Sequence, residues 1–335
     1  MIFLINLILS IIFTLIIIKI SHKLKIYDYP NGRKMHNYPV PRIGGLGFIL
    51  PIILSTFLFT DILEKLTLFT IALLIIVFEG LFDDIANLHF SQKFTFEFFS
   101  ASFIFLSGYG IKTIGFDVVL HPAIGFVITI IGFVGVINAF NMLDGLDGLL
   151  TLVSIIIFST FSYFFSILGN TELFIFSIGI ISALLGFLFF NFPIARVFMG
   201  DVGALTLGFL SASFSLFLTQ GKNSIYPIVP VIILSIPIFD TIWTIIRRIL
   251  SKYPIFYSDK RHLHHILYRR FGKFMTVFII STLQLFFSVL AILTYKLDEI
   301  YLWLIAFLCF IIVGVLGYEK SYNIWFWRSR QTSSR

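Results

Sequence analysis

Asn138, Asn141, Asp144 and Asp147 recur at every third position of N-A-F-N-M-L-D-G-L-D-G-L, Asn138 to Leu149. On a helix this spacing gathers two amides and two carboxylates into one polar stripe. The stripe follows an almost unbroken apolar run, Ala123 to Ile137, and polar groups at the end of a membrane-buried segment are costly to place there. Oxygen donors of this kind suit Mg²⁺, polar substrate groups or both. The plainer alternative is a helix ending in a polar turn, with Gly145 and Gly148 as breakers.

Four further clusters carry chemistry. Arg33, Lys34, His36 and Arg42 lie in D-Y-P-N-G-R-K-M-H-N-Y-P-V-P-R-I-G-G, Asp28 to Gly45. They suit phosphate or, as a juxtamembrane basic patch, anionic headgroups. Asp83 and Asp84 are adjacent acids that repel unless a cation or base neutralises them, so they mark a metal site, a general base or a solvated helix end. Glu79, one turn earlier, faces a polar cavity or snorkels. In N-F-P-I-A-R-V-F-M-G-D-V-G-A-L, Asn191 to Leu205, Asp201 sits between Gly200 and Gly203. There a backbone approaches a phosphate or metal closely and a helix N-terminus favours an anion. Phe198 is either a stacking surface for a base or lipid-facing. Finally, Arg261, His262, His264 and His265 in D-K-R-H-L-H-H form a dense donor set for pyrophosphate. Three histidines also suit a transition metal, but the many aspartates and the lack of partner cysteines favour phosphate. Asp240 is an intramembrane acid and hence a functional candidate.

Composition sets the frame for these residues. The chain has 335 residues, 58% hydrophobic and 12% charged, with a mean hydropathy of +1.00. No soluble domain of this size hides so much apolar surface, so the expectation is an all-α polytopic membrane protein. Apolar runs long enough to span occur at about 2–20, 44–60, 66–82, 94–109, 121–140, 149–168, 172–190, 203–219, 225–246, 274–295 and 299–316, about eleven helices in a single membrane domain over 1–335. The first run lacks a basic start and a cleavage site and reads as a retained span. Cys309, the one cysteine, is expected to be lipid-facing or core.

Charge orients the chain. Loops at about 21–43, 83–93, 141–148, 191–202 and 247–273, with the tail at 317–335, carry 19 of the 24 Lys and Arg; the opposite connections carry only Lys65, Lys112, Lys222 and Lys296. The positive-inside rule makes the first set cytoplasmic, with the N-terminus outside and the C-terminus inside. The longest external connection, Ile111 to His121, alternates apolar and polar residues around Gly115 and is expected to form a small hairpin. The unusual clusters gather at the cytoplasmic ends of spans. Acids, amides, histidines and arginines on one membrane face describe phosphoryl transfer with a metal.

These loops resemble the polyprenyl-phosphate N-acetylhexosamine-1-phosphate transferases (glycosyltransferase family 4). Five motifs occur in the family's order from about Asp28 to His265: D-x-P-N-x-R-K-x-H-x-x-P-x-P-R-x-G-G, the D-D pair, N-x-x-N-x-x-D-G-x-D-G-L, N-F-x-x-A-x-x-F-M-G-D-x-G and H-x-H-H. The first loop and H-L-H-H look more like the undecaprenyl-phosphate GlcNAc-1-phosphate branch than the branch making the first peptidoglycan lipid. Ala204 and Ile194 stand where the family often has Ser and Pro.

The resemblance implies transfer of a sugar-1-phosphate from a UDP-HexNAc, first UDP-GlcNAc, to undecaprenyl phosphate in the bacterial cytoplasmic membrane, releasing UMP. The cofactor it implies is Mg²⁺, with Mn²⁺ as the substitute. Carried over residue by residue, Asp201 holds the metal with Asp84, and Asp84 or Asp83 deprotonates or positions the lipid phosphate. Asn141, Asp144 and Asp147, with Asn138 in the same motif, hold the nucleotide sugar. Asn191 and Phe198 lie near the uridine, and His262, His264 and His265 engage the pyrophosphate. QuiNAc, FucNAc, GalNAc and MurNAc-pentapeptide donors stay open, as do the polymer served (teichoic acid, O-antigen or capsule), direct against covalent mechanism, and a homodimer. Membrane lipids are expected partners and nucleic acid is not. A secondary transporter of an anionic substrate is the rival from another class.

Overall fold

The computed structural model describes residues 2–30, 38–62, 66–116, 118–220, 224–250 and 262–318. Helices α1 (Ile2–Leu24), α2 (Leu46–Phe59), α3 (Thr67–Ala86), α4 (Phe90–Leu106), α5 (Pro122–Leu143), α6 (Leu149–Ile167), α7 (Thr171–Asn191) and α8 (Gly200–Leu218) follow one another. They continue as α9 (Ile228–Ile233), α10 (Ser235–Leu250), α11 (Leu263–Thr294) and α12 (Glu299–Leu316). Among the described residues seven of these, α1, α5, α6, α7, α8, α11 and α12, are long and apolar enough to cross a membrane by themselves. Each expected apolar run emerges as a helix or a broken pair of helices, and the chain is an all-α, multi-pass membrane protein.

Helix α8 is the axis of the bundle. It packs against α3, α5, α6 and α2, and nearly all of it is enclosed. Toward the face opposite the acidic motifs its Phe214 ring, fully buried, meets Phe158, Phe165 and Phe176, each at 5.4 Å between centroids. Edge-to-face pairs of this kind contribute ~0.5–1.5 kcal/mol each. Helix α1 packs by the opposite logic. The residues it buries are mostly polar (Asn6, Ser10, Thr14, Ser21), and its apolar faces point outward to lipid. Asn6 Nδ2 donates to Ser55 Oγ at 2.8 Å and Ser10 Oγ to the Ala183 carbonyl at 2.6 Å. In a membrane, small polar residues at helix interfaces are the expected glue.

Three expectations need correction. The ninth apolar run is not one helix. Pro237 has no N–H to give the Ile233 carbonyl, and the chain breaks at Leu234 between α9 and α10. The freed Ile233 carbonyl instead accepts from Gln284 Nε2 at 2.8 Å, which is how a broken helix survives in lipid. The fifth basic loop is partly helical, because α11 begins at Leu263 and bends at Gly272, whose φ of 74° a side chain would resist. The stripe from Asn138 to Asp147 does not share one helix: α5 ends at Leu143, Asp144 is its C-terminal cap, and Asp147 lies in the turn that follows. The expected hairpin is present, with Thr113 bridging Val119. Cys309 is buried.

Two short strands, β1 (Tyr27–Asp28) and β2 (Val40–Pro41), pair antiparallel and close the first basic loop. Beyond β2 the chain zips onto the segment before α8: Phe198 N donates to Pro41 O at 2.9 Å, Gly44 N to Phe198 O at 3.0 Å and Gly45 N to Met199 O at 2.8 Å. Helix α3 approaches α8 just as closely. A Cβ on Gly80 would lie 2.6 Å from Val202 N and 2.9 Å from Asp201 C, so only glycine permits this contact.

Gly80→Val should therefore lower the thermal midpoint of the detergent-purified protein, by an overpacking cost of about 1–3 kcal/mol. Gly135→Ala, where a Cβ meets nothing within 4 Å, should leave it within ~0.5 kcal/mol. Equal midpoints for both variants would remove the close-contact argument.

Candidate active site

Asp83 and Asp84 occupy the last turn of α3 and do different work. Asp84 Oδ1 accepts from Asp201 N at 3.0 Å and Oδ2 from Val202 N at 3.1 Å, so it caps α8 from a neighbouring helix. Arg42 Nε adds an ion pair to Asp84 at 2.9 Å. A Cβ on Gly200, whose φ is 69°, would strike the Arg42 carbonyl and the Asp84 carboxylate. That explains the glycine before Asp201. Asp83 pairs with Lys93 at the start of α4 and accepts from Leu88 N at 2.8 Å.

Asp201 stands between them with the most open of the three carboxylates, 19% exposed. Its Oδ2 lies 3.3 Å from Arg42 and 3.8 Å from Lys93, and its carboxylate meets that of Asp83. Two touching carboxylates need a shared proton or a cation between them. Two more acids are enclosed nearby. Glu79 is fully buried with neither oxygen hydrogen-bonded among the described residues. Glu97 accepts from Asn138 Nδ2 at 2.7 Å.

A second group of residues faces this cluster. Asp144 is half-buried, and desolvation pushes its carboxyl up to about 7, with the charges of Asp201 and Asp147 adding to the effect. Gly145 lies against the ring of His264, where a Cβ would have no room. His264 is 1% exposed, and neither ring nitrogen has a hydrogen-bond partner among the described residues. Burial, then His265 and His262, hold its pKa well below the usual value, so the ring is neutral. His265 packs 4.1 Å from it and His262 lies nearly parallel at 6.0 Å.

Two buried anchors hold this group, one under the histidines and one under the turn after α5. Asp240 Oδ2 holds His262 Nδ1 at 2.9 Å while Oδ1 accepts from Leu263 N at 2.8 Å, capping α11. Asn191 Oδ1 accepts from Gly148 N at 3.0 Å and Thr151 Oγ1 at 2.9 Å, and its Nδ2 donates to Val197 O at 3.0 Å. Asp147 accepts from Ala195 N at 3.0 Å and pairs with Lys273. These side chains fasten the turn after α5 to the segment before α8.

The structure thus brings Arg42, Asp83, Asp84 and Asp201 into one cluster, and Asp144, Asp147, Asn191, His262, His264 and His265 around its neighbouring turn. Asn138 is spent on Glu97 and the Val134 carbonyl, Asn141 is half-buried, and Phe198 contributes its backbone to the zip with Pro41 and Gly44. Arg33, Lys34, His36 and Arg261 lie outside the described residues. The sequence reading missed Lys93, Lys273 and Glu97. The available signals were a lone cation after the Asp-Asp pair, another before the apolar run of α11, and an acid inside the run of α4.

Comparison with known proteins fits this arrangement. A family model described as Glycosyl transferase family 4 matches residues 66–219, from α3 to the end of α8. A Bacillus subtilis (strain 168) protein named "Probable undecaprenyl-phosphate N-acetylglucosaminyl 1-phosphate transferase" is 35% identical over 323 residues, covering 93% of this chain and 88% of its own length. A Thermotoga maritima protein named undecaprenyl-phosphate alpha-N-acetylglucosaminyl 1-phosphate transferase is 30% identical, covering 89% and 91%. An Escherichia coli (strain K12) protein of the same name is 28% identical, covering 79% and 75%. With this family model and a relative 35% identical over 93% of its length, the chain belongs to glycosyl transferase family 4.

Proposed function

We propose that this protein transfers N-acetylhexosamine-1-phosphate, foremost GlcNAc-1-phosphate, from a UDP-sugar to undecaprenyl phosphate and releases UMP. Its relatives' names support a polyprenyl-phosphate acceptor and an N-acetylglucosaminyl-1-phosphate group. The observation that carries the reading is the contact of Asp83 with Asp201 beside Lys93 and Arg42, at the ends of membrane helices. The basic loops favour a cytoplasmic site with the N-terminus outside.

The donor set fits Mg²⁺. Among the described residues no three His, Cys, Asp or Glu side chains form a ready metal cage, but Mg²⁺ is commonly held by one or two carboxylates with substrate phosphates completing the shell. Asp201 and Asp83 are the residues that would hold it. Asp84 is less free, because both its oxygens already accept backbone N–H groups. When bound, the ion would neutralise the pyrophosphate and stabilise the leaving UMP. Lys93 and Arg42 orient the acceptor phosphate, which already bears the attacking oxygen. That oxygen bonds to the donor's sugar-linked phosphorus as the bond to the UMP oxygen breaks. His264, neutral and with unengaged nitrogens, donates to the pyrophosphate, and Asp144 and Asp147 face the sugar nucleotide.

The test is UMP release by the purified protein given UDP-GlcNAc and undecaprenyl phosphate. Release should require the lipid, stop with EDTA and return with Mg²⁺. Asp201→Asn should lower kcat by roughly 10²-fold or more while the thermal midpoint holds. Near wild-type turnover in that variant would remove Asp201 from the reaction. No release with any UDP-HexNAc would bring forward the transport of an anionic substrate.

Asp144 also ties stability to pH. Its folded value near 7 lies above the ordinary 3.8, so the folded state holds a proton that the unfolded state has lost. Stability therefore falls as pH rises from about 4 to about 7. In substrate-free, metal-free protein the thermal midpoint should drop across that window, and Asp144→Asn should flatten part of the drop. An unchanged slope in the variant would count against the buried carboxyl.

A further inference from the structure

On the membrane face opposite the acidic cluster, the bundle holds a half-open cavity of about 1120 Å³. It exceeds the ~300–1,000 Å³ of ordinary small-molecule pockets. Its walls come from α5 (Ile128, Phe133, Val136), the end of α8 (Leu216) and the α9–α10 break (Val231, Leu234). Along α5 the lining runs from Ile128 to Val136, about 12 Å at 1.5 Å per residue. Most of its lining is hydrocarbon.

The mouth is different. Among the described residues the opposite connections carry two cations, and both line this one cavity: Lys112 in the hairpin and Lys296 after α11. Both are exposed, and neither ammonium forms an ion pair among the described residues; Lys296 rests 5.5 Å from the Tyr295 ring centre. The nearby Glu299 is committed elsewhere. Its oxygens accept from Phe116 N at 2.6 Å and Trp303 Nε1 at 3.2 Å. Asp298, the other acid of this turn, is exposed at the start of α12. Tyr226, Tyr295 and Trp303 also border the cavity, at the level where aromatic residues mark a membrane interface.

We propose that this cavity binds an acidic glycerophospholipid from the leaflet opposite the reaction site, with its phosphate between Lys112 and Lys296 and its acyl chains between α5 and the α9–α10 break. The combination of a largely hydrocarbon cavity and two ammoniums at its mouth, neither in an ion pair among the described residues, selects an amphiphile with one anionic end. The polyprenyl acceptor does not meet that requirement in the same pose, because its phosphate is needed at Asp83 and Asp201 on the other face. A lipid seated here braces the one apolar run whose backbone is interrupted, and binding to the folded state raises stability.

The experiment is native mass spectrometry of the full chain titrated with dioleoyl phosphatidylglycerol or dioleoyl phosphatidylcholine in detergent, with thermal midpoints in parallel. An ammonium near an anionic headgroup favours it about 5-fold, so two predict roughly 25-fold tighter binding of phosphatidylglycerol. The Lys112→Gln/Lys296→Gln double variant should bind both lipids alike and keep wild-type UMP release. Gly132→Leu, at a wall position where a Cβ meets only Ile111 at 3.7 Å, should weaken both lipids with the lysines intact. Equal binding of the two lipids by the wild-type chain, or undiminished selectivity in the double variant, would overturn the proposal. So would one-for-one displacement of phosphatidylglycerol by undecaprenyl phosphate, which would assign the cavity to the acceptor.

Discussion

The Asp84 carboxylate holds three separate parts of the chain in one place. It ends α3, accepts the first free N–H groups of α8 and pairs with Arg42 just beyond β2. A buried carboxylate is unfavourable without such partners, and a helix N-terminus is unfavourable without acceptors. Each deficit here satisfies the other. The same interaction fixes the direction of Asp201, since its own N–H is one of the groups Asp84 receives. Adjacent acids in sequence have thereby separated, Asp84 committed to the α8 backbone and Asp83 turned toward Lys93 and Asp201.

Glycine makes that geometry reachable. Gly80 lets α3 lie against the backbone of α8, and Gly45 meets Gly203 where a Cβ would lie 2.5 Å from its nitrogen. In a bilayer the hydrophobic effect does not drive helices together, so close van der Waals contact and interhelical hydrogen bonds must do so. The polar face of α1, the Gln284 bond to the broken ninth run and the Asp84 cap all follow that rule. Stability and placement of the cluster therefore rest on the same contacts.

Much of this was legible in the sequence because apolar runs, glycines and charge asymmetry are local signals. The hairpin at Thr113–Val119 followed from alternation around Gly115, and the helices followed from the apolar runs. Two kinds of feature were hidden. Single charges such as Lys93, Lys273 and Glu97 carry no local pattern, and their meaning comes only from partners 10, 126 and 41 positions away. The three-residue period from Asn138 to Asp147 suggested one helical stripe, but Asp144 adopts φ −76° and ψ 60° and ends the helix between the two pairs. A period cannot reveal that its backbone has changed direction.

Charge balance links the two halves of the site. Three carboxyl groups, Asp83, Asp84 and Asp201, face two cations, Arg42 and Lys93, and the touching pair Asp83 and Asp201 must share a proton or a cation before any substrate arrives. On the proposed function, donor pyrophosphate and acceptor phosphate bring further negative charge to carboxylates already in contact. Side-chain cations alone do not compensate for that at short range. A divalent ion between Asp83 and Asp201 would, and it would also relieve their mutual repulsion. On the proposed function the buried His264 ring would complement this arrangement: it would offer a hydrogen-bond donor to a phosphate without adding another buried charge that would have to be neutralised when the substrate leaves.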